Sequence, residues 1–138
     1  MQPTRVLVLG PEGAGRTALE RTLSRLGYAV SAADARRHAA PVDADILMLD
    51  LRGDEADWAE IAPGIQDDER PLMIVSERPR PIVRALAGRQ AGTMLLTGGE
   101  SDAGYRVALS VLRALRESAL ARGAERPRNG AAARVAAL

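Results

Sequence analysis

Asp45-Ile46-Leu47-Met48-Leu49-Asp50-Leu51-Arg52-Gly53-Asp54 is the segment of this sequence with the strongest structural signal. It is a nearly continuous apolar run, and such a run predicts a strand that is buried on both faces, as in a parallel sheet. Asp50 comes at the end of the run. Ligands and chemistry gather outside the carboxyl ends of the strands in open α/β sheets. The stretch therefore predicts a central strand that delivers one carboxylate to the functional edge of the sheet.

The remainder of the chain alternates between short apolar runs and segments with helical spacing. The other runs predict strands at residues 5–9, 28–32, 71–76 and 93–97. The intervening segments predict helices at 17–26, 33–40, from about 54, at 81–87 and at 101–121. This alternation with short connections predicts βαβ crossovers and a parallel sheet, that is, a three-layer (βα)5 α/β sandwich. In the last helix, the spacing places Val107, Val111, Leu112 and Leu115 on the inner face.

Length and composition predict one domain and exclude several kinds of site. The 138 residues suit a single core over 1–121, followed by a basic, Ala/Arg-rich flexible tail at 122–138. The absence of cysteine excludes disulfides and thiolate metal sites, and the single His38 excludes a histidine-rich metal centre. All 19 basic residues are arginine, so no mechanism can use a lysine ammonium group.

The net charge and the hydropathy of the sequence limit the classes of partner that it predicts. A net charge of +1 and 2% aromatic residues do not predict nucleic acid binding. No apolar run approaches the roughly 20 residues of a membrane helix. The expectation is a soluble, cytoplasmic protein.

Two of the predicted strands end in a polar residue, and the placement of these residues is similar to that in a known protein family. Asp50 ends the third strand and Ser76 ends the fourth, while Gly92-Thr93-Met94-Leu95-Leu96 forms the fifth. Over residues 5–121 the chain resembles the receiver domain of two-component response regulators. The resemblance implies that Asp50 stands where receivers accept a phosphoryl group, and Ser76 where their switch hydroxyl follows it. It also implies a flavodoxin-like, doubly wound sheet of order 2-1-3-4-5.

The chain departs from the receiver pattern where receivers hold magnesium and read the phosphoryl group. Their two metal-binding acids correspond to Gly10 and Pro11, which leaves Asp50 and Glu12 as a weak metal set. Their lysine after the fifth strand corresponds to Leu96. We therefore interpret the chain as a degenerate, stand-alone receiver without enzymatic activity, cofactor or magnesium-dependent phosphorylation.

The resemblance also implies how such a module acts. Receivers contact partners through the face formed by helix 4, strand 5 and helix 5. A kinase, a regulator or a second copy of the chain, forming a homodimer, is the expected partner. Arg78, Arg80 and Arg84 lie near this face in the sequence.

An alternative interpretation is a nucleotide- or phosphate-binding protein. Residues 10–17, Gly-Pro-Glu-Gly-Ala-Gly-Arg-Thr, fit the G-x-x-x-x-G-K-[ST] loop except that arginine replaces lysine. The candidate anion-binding residues are Gly10, Gly13, Gly15, Arg16 and Thr17. Strand order separates the two interpretations, because a P-loop fold normally inserts a strand between the loop strand and the acid-bearing strand.

Two site residues also have purely structural interpretations. Asp50 could cap a turn or pair with an arginine such as Arg52. Ser76 could satisfy a nearby backbone group.

Overall fold

A computed structural model describes residues 2–34, 42–52, 63–77, 81–89 and 91–137, without the side chains of 81, 82, 87 and 123–137. The strands are β1 (Arg5–Leu9), β2 (Ala29–Ala33), β3 (Ile46–Asp50), β4 (Leu72–Val75) and β5 (Thr93–Leu96). The helices are α1 (Ala14–Arg25), α2 (Pro81–Ala87) and α3 (Asp102–Ala137), with a short helical segment at 63–66. His38, Trp58, Arg78, Arg80 and most of the predicted second and third helices lie outside the described residues.

The five strands form one parallel sheet in the order β2-β1-β3-β4-β5. The predicted fold class and strand order are therefore confirmed. Residue Leu47 of β3 lies between Leu7 of β1 and Leu72 of β4, so β3 is the central strand. The apolar run Ile46–Asp50 thus forms the middle strand of the sheet.

Every residue of β3 is buried, because helices cover both faces of the sheet. Alternate residues of the strands face opposite layers. Leu47 and Leu49 pack in one layer with Leu86 of α2, while Met48 packs in the other with Leu23 of α1 and Leu109 of α3. The unbroken apolar run therefore has a simple cause, since neither face of β3 meets solvent.

The inner face of α3 differs from the predicted one. Leu112 is buried as predicted, but Val107, Val111 and Leu115 are 65%, 44% and 42% exposed, so the prediction was wrong for these three. The residues that pack on the sheet are instead Tyr105, Ala108, Leu109 and Leu112. The helix carries apolar residues on two adjacent stripes, and the spacing alone favoured a mixture of both.

The last helix is also longer than predicted. It continues beyond residue 121 to Ala137, in a segment rich in the strong helix formers alanine and arginine. The mobility of residues 122–138 stays a prediction. Within the described ranges, no helix is both long and apolar enough to span a bilayer.

Two other element boundaries differ from the predicted ones. Helix α1 begins at Ala14, three residues before the predicted start, with Gly13 as its N-cap. Ala33 belongs to β2 and not to a following helix, because it pairs with Leu9 of β1. In both places tertiary pairing and loop geometry override local spacing.

A buried arginine that the sequence did not single out organises the loop before β4. Arg89 is 6% exposed, and its guanidinium donates to the carbonyls of Ile65 (3.0 Å), Arg70 (2.8 Å) and Asp68. Burial lowers the pKa of Arg89. The side chain therefore joins the end of α2 to three backbone carbonyls of the loop before β4.

Replacing Arg89 should lower the stability of the fold. We expect Arg89→Met to lower the free energy of unfolding by about 2–4 kcal/mol, since several buried carbonyls lose their donor. Arg84→Met, on the exposed side of α2, is the matched control and should change it by about 0.5 kcal/mol or less. Urea denaturation followed by circular dichroism measures both. Similar losses for the two variants would contradict this assignment.

Candidate functional site

The carboxyl ends of β1, β3 and β4 bring three of the predicted site residues together. Asp50 ends β3 and is 6% exposed. A Cβ placed on Gly10, just after β1, would stand 3.3 Å from Asp50 Cβ. Ser76 follows β4, whose Val75 is paired with Asp50. The sheet therefore presents a single buried carboxylate between a glycine and a serine.

Arg52 holds the Asp50 carboxylate with two side-chain hydrogen bonds. Its Nε donates to Asp50 Oδ1 at 2.9 Å, and its Nη2 donates to Oδ2 at 3.1 Å. The Arg52 backbone N–H also donates to Oδ1 at 3.1 Å. Asp50 thus both caps the turn after β3 and forms an ion pair, as the structural interpretation of this residue predicted. A two-pronged arginine–carboxylate contact is among the stronger ion-pair geometries.

The same arginine joins two other loops to the strand end. Its Nη2 donates to the carbonyl of Gly15 in α1 at 3.1 Å. Its stem lies over Gly98, where an added Cβ would stand only 2.8 Å from Arg52 Cδ. Gly98 has φ +94°, a conformation that favours glycine. Arg52 therefore contacts the β1–α1 region, the end of β3 and the turn after β5 at once.

The charges and the burial of this cluster shift the pKa of Arg52 and of Tyr105. The hydrogen bond with Asp50 is the main cause that raises the pKa of Arg52. Tyr105 of α3 is 5% exposed, and burial raises its pKa, while the charge of Arg52 works in the opposite direction. The sequence did not single out Tyr105. Its helical spacing with Ala108 and Leu112 is the signal that could have found it.

No protein-family model matches the chain, and no curated protein is similar enough to match. Solved structures do match. The N-terminal domain of a response regulator/sensory box/GGDEF protein from Carboxydothermus hydrogenoformans has a TM-score of 0.65 at 16% identity, covering 85% of this chain and 99% of that one. Vibrio cholerae chemotaxis protein CheY4 has a TM-score of 0.59 at 16% identity, with 80% and 99% covered.

The chain has a CheY-like receiver fold. A third match extends along nearly the whole chain. It is a fusion that contains a trimeric coiled-coil segment of yeast Spc42, with a TM-score of 0.67, 15% identity and 98% of each chain covered.

Compared with the receiver pattern, the metal-binding part of the site is incomplete. Position 10 faces Asp50 but carries no side chain, and Glu12 is exposed. Among the described residues, no group of three acids or histidines could hold a metal. Magnesium prefers octahedral oxygen ligands, and here both oxygens of the one carboxylate accept hydrogen bonds from Arg52. These residues do not fit a magnesium site.

The receiver's lysine position is equally altered. Leu96 ends β5 and packs against the apolar layer beneath α3. The next residue, Thr97, bonds Glu100, since its Oγ1 donates to Oε2 at 3.1 Å and its N–H donates to Oε1 at 3.1 Å. Within the described part of the chain, the positive charge that contacts Asp50 belongs to Arg52, from the loop after β3.

The glycine-rich loop makes contacts within itself. Arg16 Nη1 donates to the Gly10 carbonyl at 3.1 Å, and Thr17 Oγ1 donates to the Gly13 carbonyl at 3.0 Å. Asp50 Oδ2 lies 3.9 Å from the Cβ position of Gly15 near the start of α1. The chain's own carboxylate therefore stands beside the helix end that would attract an anion.

Strand order also separates the two interpretations. Strand β1, which precedes the loop, pairs directly with β3, which carries Asp50. A P-loop fold would normally insert a strand between them, so the order favours the receiver arrangement. Anion binding by Gly13 and its neighbours stays a prediction.

Ser76 is placed where the receiver resemblance implied. It is 3% exposed, and its N–H donates to the Leu96 carbonyl at 2.8 Å, which joins the ends of β4 and β5. Its role as a switch hydroxyl stays a prediction.

The contact between Arg52 and Gly98 is open to a direct test. We expect Gly98→Ala to lower the free energy of unfolding by more than the roughly 1–2 kcal/mol of a positive-φ alanine, because the new methyl group meets Arg52. Gly27→Ala is the matched control, since Gly27 has φ +98° with no atom within 4 Å of the added Cβ. In the Arg52→Ala background, the cost of Gly98→Ala should fall toward that of Gly27→Ala, with the 3.3 Å approach to Val75 Cγ1 as the remaining difference. Chemical denaturation of Gly98→Ala, Gly27→Ala, Arg52→Ala and the double variant gives the coupling energy between positions 52 and 98. If the free-energy changes of Gly98→Ala and Arg52→Ala simply add in the double variant, the contact is contradicted.

Proposed function

We propose that this chain is a receiver-like signalling module that acts through protein contacts, without enzymatic activity and without magnesium-dependent phosphorylation of Asp50. The observation that carries the proposal is the two-pronged bond from Arg52 to Asp50.

The chemistry of aspartyl phosphorylation explains why this bond matters. A carboxylate oxygen must reach phosphorus, and cations must neutralise the phosphoryl oxygens in the transition state. Here both oxygens of Asp50 point at Arg52, and the side chains of Asp50 and Arg52 are only 8% and 24% exposed. An incoming phosphoryl donor would have to displace Arg52, and among the described residues it would find no group of acids able to hold magnesium.

An apolar surface on the other side of α3 is suited to a protein partner. We call it the β5–α3 face. It consists of the α3 stripe Val107, Val111 and Leu115 and, across the edge strand β5, of Leu95, which points to the other side of the sheet; the four side chains are 42–65% exposed. Leu115 lies against Gly92, where an added Cβ would stand 2.5 Å from Leu115 Cδ1, so this stripe of α3 borders the edge of the sheet at β5. Grouped exposed apolar side chains are typical of interaction sites. The face corresponds to strand 5 and helix 5 of a receiver.

The phosphorylation half of the proposal has a simple test. We expect acetyl phosphate or beryllofluoride with magnesium to give no added mass on the intact protein and no change in its amide NMR spectrum. A phosphorylatable receiver treated in parallel shows that the reagents are active. Stoichiometric labelling of the wild-type chain that disappears in Asp50→Asn would contradict the proposal.

The partner half is tested most directly with a second copy of the chain. We expect concentration-dependent self-association in light scattering, and we expect Val107→Asp with Val111→Asp to weaken it at least tenfold, since charges would be buried in an apolar contact. Ser24→Asp adds the same kind of charge to the exposed side of α1 and should leave it unchanged. A wild-type chain that stays monomeric would rule out self-association and leave a different protein as the partner.

A further inference from the structure

The α3 stripe of the β5–α3 face is flanked along one side by two opposite charges. Arg106 and Glu117 are both exposed, and they lie eleven residues apart in the helix. Eleven residues make about three full turns, so the two side chains project in nearly the same direction, roughly 16 Å apart along the helix. Leu115 marks the side of the stripe that borders β5. The two charges lie on the opposite side of the stripe.

These charges are placed symmetrically about the middle of the stripe. The midpoint between Arg106 and Glu117 falls next to Val111, which is also the middle residue between Val107 and Leu115. A two-fold axis that passes beside Val111, perpendicular to α3, would pack the stripe of one chain on that of a second copy with the helices antiparallel. In such an isologous contact Arg106 stands opposite Glu117 of the second copy, and the converse pair forms at the same time.

Both side chains are available for such a pair. Arg106 has no hydrogen bond or ion pair with another described residue. Glu117 accepts from Arg113 Nε through Oε1 at 3.1 Å, and a carboxylate can accept a second arginine at its other oxygen. Ser110 and Ala114 lie between the charges and the stripe, and both are small and exposed. They allow two helices to approach closely, so that the longer charged side chains can meet across the contact.

We propose that the β5–α3 face binds a second copy of this chain by antiparallel packing of α3, and that Arg106 and Glu117 set the orientation. This inference rests on the contact function proposed above and specifies its partner. A parallel pair uses the charges less well, because its two-fold axis exchanges the two sides of the stripe. Glu117 could then meet Arg122 of the second copy, but Arg106 would face the Leu115 side, where α3 carries no acid at that level. The antiparallel pair satisfies both charges.

The test measures self-association of charge-reversed chains by sedimentation velocity, with circular dichroism to confirm that each variant keeps its helix content. We expect Arg106→Glu and Glu117→Arg each to weaken self-association about fivefold or more, since two attractive pairs become repulsive in each dimer. An equimolar mixture of the two variants should associate within about twofold of the wild-type chain, because both pairs in the mixed dimer are attractive again. The double variant in one chain should also recover.

A control on α1 separates this pairing from a general effect of net charge. Arg21 is exposed on that helix, and Arg21→Glu changes the net charge of the chain as Arg106→Glu does. It should leave self-association unchanged, and mixing it with Glu117→Arg should restore nothing. Weakening by Glu117→Arg but not by Arg106→Glu would overturn the antiparallel orientation, and so would a mixture that stays weak.

A wild-type chain that stays monomeric at millimolar concentration would overturn this inference, yet the proposed function would stand with a different protein as the partner. Phosphoryl labelling of Asp50 would contradict the proposed function whether or not the dimer forms. The two failures are therefore distinguishable.

Discussion

The ion pair between Asp50 and Arg52 is the interaction on which the carboxyl edge of this sheet depends. A carboxylate that is 6% exposed needs a countercharge, and loss of one partner of such a buried pair typically costs about 3–5 kcal/mol. Arg52 supplies that charge from two residues along the chain. Because the same side chain also contacts Gly15 and Gly98, the three loops at this edge share one arginine.

A countercharge built into the chain differs physically from a bound cation. A metal ion can leave or exchange, and its occupancy depends on its concentration. Arg52 is tethered next to Asp50, so its effective concentration is that of an intramolecular group. Its pKa is raised by the bond it makes, so it does not lose its charge near neutral pH. The local concentration of this countercharge therefore does not depend on the concentration of metal ions.

The central strand could be predicted from the sequence because its burial follows from its own apolar residues. An apolar run such as β3 can only be buried on both faces, and the position of Asp50 at its end follows from that. Pairing of Asp50 with Arg52 was one of two structural alternatives, since the residues are close in sequence. The contacts of Arg52 with Gly15 and Gly98 could not be predicted, because they join loops that are far apart in sequence. The buried role of Arg89 was missed for the same reason.

Helix α3 shows the limit of periodicity in a different way. Tyr105 packs inward and Val107 points outward, although both are apolar enough to suit a core. Periodicity identifies a helix, but when two adjacent stripes are apolar it does not decide which one faces the sheet. Only the packing against β3 and β5 does so. The outer stripe is then free for a second role, which is why the same misassigned residues form the β5–α3 face.

The two faces of α3 also connect the site to the contact surface. Tyr105, on the inner face, lies within electrostatic range of Arg52, and Val107, two residues later, belongs to the β5–α3 face. The turn that leads into α3 passes Gly98, against which the Arg52 stem packs. The Asp50–Arg52 pair therefore contacts the turn that leads into the helix with the apolar stripe. Coupling between sites requires an element with two arrangements. In the proposed function, Arg52 is the side chain through which a change at Asp50 would reach the β5–α3 face, because it contacts both Asp50 and Gly98.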